Sequence, residues 1–160
     1  MSCFIVYATK YGSTERCAEY LQQQIPDSKI ANLENTDPSL TDMDTIIIGT
    51  PIRFGQIHKA VRQFITQHER ALMNRNVLLF LCCGVEKQAE QYFQANFPKE
   101  LSGHALVKAV MGGELPMQNA TRFDSFILRM VQKKMFNEAE TPPSIHFDQL
   151  DELARIACRV

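Results

Sequence analysis

Apolar residues follow two different rhythms along the chain. Residues 3–8 (CFIVYA), 45–49 (TIIIG) and 77–83 (VLLFLCC) are apolar at nearly every consecutive position. Such runs predict strands covered on both faces, as in a parallel sheet. Residues 29–33 and 104–110 carry the same signal more weakly. Between these runs, apolar positions recur every three or four residues. Residues 14–25 place Cys17, Ala18, Leu21 and Ile25 on one face, and Pro26–Asp27 ends that helix. Residues 58–68 bury Ala60, Val61, Phe64 and Ile65 in the same way. Residues 86–97 carry Ala89, Tyr92, Phe93 and Phe97, with Pro98 as the stop. The alternation predicts an α/β fold, a doubly wound parallel sheet of five strands with helices on both faces. One link is irregular: residues 35–44 (NTDPSLTDMD) are polar and turn-rich and show no obvious helix between the second and third strands, with room for a single turn in 35–43.

The tail has its own pattern. Residues 112–121 read as a loop containing GGELP. Residues 122–135 (RFDSFILRMVQKKM) form an amphipathic repeat with Phe123, Phe126, Ile127, Met130 and Val131 on one face. Four basic residues against Asp124 give that stretch a local charge of +3. Such a stripe covers the protein's own core or lies on a membrane surface as a peripheral contact. Pro142–Pro143 breaks the chain, and residues 147–157 close it with Leu150, Leu153, Ala154 and Ala157 turned inward.

Composition narrows the class. A chain of 160 residues is expected to form one domain, spanning 1–160. Seventeen basic residues against 18 acidic leave a net charge of −1, which disfavours a general nucleic-acid binder. Five cysteines, an odd number with no CxxC pair, suit reduced thiols and a cytoplasmic location. No apolar run reaches the roughly 18 residues of a membrane span. His58, His68, His104 and His146 show no metal-ligand spacing.

In an open parallel sheet, ligands bind beyond the carboxyl ends of the strands, where strand order reverses. Three such ends carry chemistry. After the first strand comes Thr9-Lys10-Tyr11-Gly12-Ser13-Thr14, with hydroxyls and a glycine leading into a helix. Free amides and hydroxyls at a helix start suit a phosphate. The segment has neither GxGxxG nor GxxxxGK[ST], so a dinucleotide site or a P-loop is not expected. The same residues also suit an ordinary helix cap. After the third strand, Gly49-Thr50-Pro51-Ile52-Arg53-Phe54-Gly55 makes a shaped turn. There Phe54 or Ile52 would cover a flat ring and Arg53 would face negative charge; a plain turn with an exposed arginine is the alternative. After the fourth strand, Cys82-Cys83-Gly84-Val85-Glu86 lets backbone approach a planar ligand closely. A tight turn with buried thiols is the alternative there. Together the three turns fit one flat, phosphorylated, ring-bearing ligand.

ATKYGST followed by IIIGTPIRFGQIHKAVRQFI resembles the flavodoxin-like family. Within it, the resemblance is sharpest to the branch of menaquinone-dependent protoporphyrinogen IX dehydrogenases, and it runs from Cys3 to about Ala157. It implies a 2-1-3-4-5 strand order and FMN as cofactor. Thr9, Lys10, Tyr11, Gly12, Ser13 and Thr14 would hold the phosphate. Thr50, Pro51, Ile52, Arg53, Phe54 and Gly55 would border the isoalloxazine, and Cys83, Gly84, Val85 and Glu86 would close its other edge. The third turn offers no aromatic before Tyr92, so one ring face would stay open. Arg53, or amides at Gly84 and Val85, would stabilise an anionic reduced ring. The implied activity is oxidation of a porphyrinogen in haem biosynthesis, with electrons passing to a quinone. The alternatives are a flavodoxin-like carrier that exchanges electrons with redox proteins, and a scaffold that keeps the fold without flavin.

Overall fold

The computed structural model describes residues 2–84, 86–112 and 145–160. The first strand, β1 (Cys3–Tyr7), leads into α1 (Ser13–Gln24) and then β2 (Lys29–Asn32). The chain continues through β3 (Thr45–Arg53), β4 (Gln56–Ile57), α2 (Lys59–Met73) and β5 (Asn76–Cys82). A 3-10 turn at Glu86–Gln88 precedes α3 (Ala89–Asn96), α4 (Lys99–His104) and β6 (Val107–Val110), and α5 (Phe147–Arg159) ends the chain. The order across the sheet is β2-β1-β3-β5-β6, with β4 paired to β3 alone. Apart from the short β4, this is the expected 2-1-3-4-5 arrangement, and the five long strands run parallel.

The consecutive apolar runs are explained by cover on both faces. Ile5, Ile47, Leu78 and Phe80 point to one side, against Cys17, Ala18 and Leu21 of α1 and Leu150, Leu153, Ala154 and Ala157 of α5. Phe4, Val6, Ile46, Ile48, Leu79 and Leu81 point to the other, against α2 through Val61, Phe64, Ile65 and Leu72. Side chains alternate across a strand, so a run buried on both sides has no polar positions to spare. Gly49 sits beside Phe80 in the register, and a Cβ there would lie 2.1 Å from the ring's Cζ. The ring of Phe80 thus fills the volume that any larger residue at 49 would need.

Residues 33–44 contain no helix, so the single turn of helix that 35–43 left room for does not form. Arg75 holds this stretch in place, donating from Nε to Met43 O (2.9 Å) and from Nη2 to Leu40 O (2.9 Å). Four elements differ from the sequence expectation. β3 does not stop at Gly49 but runs on to Arg53 and folds back as a hairpin. α2 continues past His68, where φ −112° and ψ 17° leave helical values, to Met73. The third helix opens as a 3-10 turn. Residues 99–104 form α4, so the last strand starts at Val107 rather than at 104. The expected helix at 122–135, the GGELP loop and the Pro142–Pro143 break lie outside the described residues. Among the described residues no helix is long and apolar enough to cross a membrane.

Candidate functional site

The sheet register brings the three turns together. Tyr7 pairs with Gly49, Gly49 with Phe80, and Pro51 with Cys82, so β1, β3 and β5 end side by side. From β1 the chain turns to β2 on one flank, while β3 lies on the other, which makes the β1/β3 boundary the point of strand-order reversal.

The first turn is shaped by its own residues. Gly12 N–H donates to Thr9 Oγ1 at 2.9 Å, and Gly12 takes φ +97°, a left-handed conformation that side-chain-bearing residues resist. A Cβ on Gly12 would meet nothing within 4 Å, so open space lies over the turn. The helix begins with Arg16 N–H bonding Gly12 O at 3.0 Å. The amides of Thr14 and Glu15 therefore have no acceptor inside α1, and the N-cap Gly12 has no side chain to offer them one. Thr14 is 1% exposed, and its Oγ1 has no hydrogen-bond partner. Ser13 beside it is buried as well, while Lys10 is exposed. A buried hydroxyl without a partner costs free energy, and here it sits in the first turn of a helix whose dipole favours an anion. The arrangement fits a dianionic phosphate.

The second turn is a hairpin rather than a loop. Ile52 pairs with Ile57 and Arg53 with Gln56, leaving Phe54 and Gly55 as a two-residue turn. Both have positive φ, +54° and +74°, the pattern of a type I′ turn. Phe54 is 55% exposed, and the Arg53 guanidinium carbon lies 4.7 Å from its ring centroid. Ile52 and Pro51 are half-buried. The Thr50 hydroxyl is committed to the base of the hairpin, accepting from His58 N–H (2.9 Å) and donating to Pro51 O (3.1 Å).

In the third turn Cys83 is buried, Gly84 is half-buried and Glu86 is exposed, while Val85 lies outside the described residues. Beneath it the Cys82 and Cys17 sulfurs approach to 3.8 Å. That thiol–thiol bond and burial push the Cys82 thiol well up, with the nearby Thr14 hydroxyl pulling the other way. The Cys82 thiol is not poised as a nucleophile. Tyr7 under the first turn is pushed up to about 12 by burial and by Glu15, whose carboxylate accepts its hydroxyl at 3.2 Å.

Three residues outside the expected set tie the turns to one another. Glu34 Oε2 accepts from Thr9 N–H at 3.3 Å, and its Oε1 lies 3.3 Å from His58 Nε2. His58 Nδ1 accepts from Ala60 N–H at 3.1 Å, so Nε2 carries the proton that faces Glu34. Asn96 reaches the hairpin from α3, donating to Gly55 O at 2.9 Å. No sequence signal marks Glu34 or Asn96, because their partners lie 25 and 41 residues away. His58 was visible as the start of a helix and as part of the stretch that carries the family resemblance, but nothing local tied it to Glu34. Farther out, His146 Nε2 meets Glu86 Oε1 at 2.9 Å, joining the start of α5 to the third turn.

Residues 4–142 match the family described as Flavodoxin domain. The chain belongs to the flavodoxin domain family. Protoporphyrinogen IX dehydrogenase (quinone) of Escherichia coli (strain K12) is 21% identical over 168 residues, covering 98% of this chain and 93% of that protein. A flavoprotein from Lactobacillus acidophilus NCFM, solved in complex with FMN, superposes with a TM-score of 0.56 at 16% identity, over 68% of this chain and 92% of that one. Oxidised flavodoxin 1 from Bacillus cereus gives a TM-score of 0.50 at 14% identity, over 87% and 99%. These likenesses establish a flavodoxin-like fold.

Proposed function

We propose that this protein is an FMN-dependent oxidoreductase that takes electrons from a porphyrinogen-type substrate and passes them to a quinone. The observation that carries the cofactor reading is the Thr14 hydroxyl, buried and without a partner in the turn that follows β1. A phosphate oxygen would supply the missing acceptor. Thr9, Lys10, Tyr11, Gly12, Ser13 and Thr14 form the phosphate cradle in this reading. In the same reading Thr50 to Gly55 border the ring, and Cys83, Gly84 and Glu86 lie along its other edge.

When bound, FMN supplies reversible two-electron chemistry that no side chain offers. The chain's own contribution is placement. Gly12 keeps the turn open, Thr14 and the free amides orient the phosphate, and Arg53 brings positive charge to the hairpin rim. The near-full-length similarity to the quinone-linked dehydrogenase of Escherichia coli supports the substrate class and the acceptor. The exposed Phe54 at the rim suits contact with a flat apolar molecule.

The test is the visible spectrum of the purified protein with and without added FMN, followed by turnover. The expected result is yellow protein that oxidises protoporphyrinogen IX in the presence of menadione. Yellow protein without that activity would instead be an electron carrier serving redox proteins. Protein that stays colourless with FMN would refute the cofactor reading.

A further inference from the structure

Asn96 belongs to none of the three turns, yet its amide is fully occupied around one of them. Nδ2 donates to Gly55 O (2.9 Å) and to Tyr92 O (2.9 Å). Oδ1 accepts from Ile57 N–H (3.2 Å) and from Arg62 Nη2 (3.0 Å). A side-chain amide has two donor hydrogens and two acceptor lone pairs, and all four are used here. The neighbours also fix its orientation, since two carbonyls face the nitrogen and two N–H groups face the oxygen.

Thr50 fastens the base of the hairpin, and Asn96 fastens its far arm. β4 contributes only two ladder pairs. Phe54 holds a left-handed backbone that costs a bulky residue free energy, and such strain persists only where the surroundings over-determine it. The Phe54 side chain is half in solvent. Asn96 contributes to that constraint, because Gly55 O and Ile57 N–H bracket Gln56 and both bond to the same amide. Asn96 stands on the helix that follows the third turn, so it clamps the second turn against the element that carries the third.

We propose that Asn96 is a positioning residue for the ring side of the site, setting the separation of the two turns that border the flavin ring. It rests on the FMN reading above. Its effect falls on ring affinity and midpoint potential and leaves the phosphate cradle alone. A residue that only held the fold together would change stability without changing the potential of the bound flavin.

The test compares wild type with Asn96→Asp, which keeps the shape but turns an oxygen toward two carbonyls. Dissociation constants for FMN and for riboflavin are measured by flavin fluorescence, and the midpoint potential by dye-equilibrated reduction. Net hydrogen bonds are each worth a factor of roughly 2 to 10. Asn96→Asp is therefore expected to weaken FMN and riboflavin by the same factor, about tenfold, and to shift the potential. Unchanged affinities and potential in a folded variant overturn the proposal, as does a loss confined to FMN. Should Asn96→Asp fail to fold, Arg62→Met removes one of the four bonds from outside the turns. A common two- to threefold loss is then expected, and no change overturns the proposal. Wild-type protein that binds neither flavin sinks the cofactor reading and this proposal with it, whereas wild type that binds both beside an unaffected Asn96→Asp sinks this proposal alone.

Discussion

Replacing Thr14 with valine should move stability and cofactor affinity in opposite directions. Thr14 is 1% exposed and its hydroxyl is unpartnered. Valine has nearly the same shape and puts a methyl group where the hydroxyl was. A buried polar group without a partner costs about 1–3 kcal/mol, so the ligand-free variant should gain about 1–2 kcal/mol. For a chain of this size each kcal/mol moves Tm by roughly 2–4 °C, giving a rise of about 2–8 °C. Binding should go the other way. A hydrogen bond to a charged group is worth about 1.5–3 kcal/mol, so FMN affinity should fall about 10- to 150-fold. Riboflavin lacks the phosphate and should bind Thr14→Val and wild type alike. Thr45 offers an internal control, since its hydroxyl is equally buried and unpartnered but lies at the start of β3, the far end of the sheet. Thr45→Val should also gain stability while leaving both flavins unaffected. Thermal melts without ligand and fluorescence titrations with the two flavins decide the matter. A Thr14→Val protein that melts lower than wild type, or that loses FMN and riboflavin equally, would refute the reasoning.

Further outcomes follow from the packing and the thiols. Gly49→Ala drives a methyl group into the Phe80 ring and should cost about 1–3 kcal/mol, with Phe80→Leu in the same chain recovering much of it; equal melting of Gly49→Ala and wild type would contradict the packing. Iodoacetamide at pH 8 should label Cys158 first, as the exposed thiol. Burial pushes Cys3 up to about 12, and the Cys17 contact and burial push Cys82 higher than its ordinary value. Peptide mapping that finds Cys3 or Cys82 labelled as fast as Cys158 would count against the packing around them. Tyr7 titrates at about 12 in the folded chain against an ordinary value near 10, so folding favours its neutral form. The stability this confers is complete below about pH 10 and is lost as pH rises toward 12. Tyr7→Phe should accordingly flatten the fall in Tm across that window, and an identical fall in both proteins would rule the effect out.

The sheet was legible because its strands are apolar at consecutive positions, a pattern that only two-sided cover explains. The helices α1, α2 and α5 were legible from their spacing, within a few residues at each end. The hairpin was not. Ile52 and Ile57 are its only paired apolar residues, and its turn is Phe-Gly rather than the usual Asn-Gly or Asp-Gly. α4 was hidden because six residues carry too little periodicity, and Pro98, read as a stop, also serves as the next helix's N-cap. The turn after β1 stood out as a phosphate candidate because hydroxyls and a glycine lead from a strand into a helix there, although the same residues also suit an ordinary cap. Which hydroxyl was left over could not be read: Thr9 turned out to shape the turn and Thr50 to staple the hairpin, while Thr14 alone of the three lacks a partner. Glu34 and Asn96 act through folded contacts that local pattern does not carry.

The most direct measurement is a crystal structure of the protein soaked or grown with FMN. The phosphate is expected in the turn after β1, with one oxygen within hydrogen-bond distance of Thr14 Oγ1 and the ring between the hairpin and the turn after β5. A phosphate bound elsewhere, or side chains filling the turn so that Thr14 stays unpartnered at saturating FMN, would contradict it.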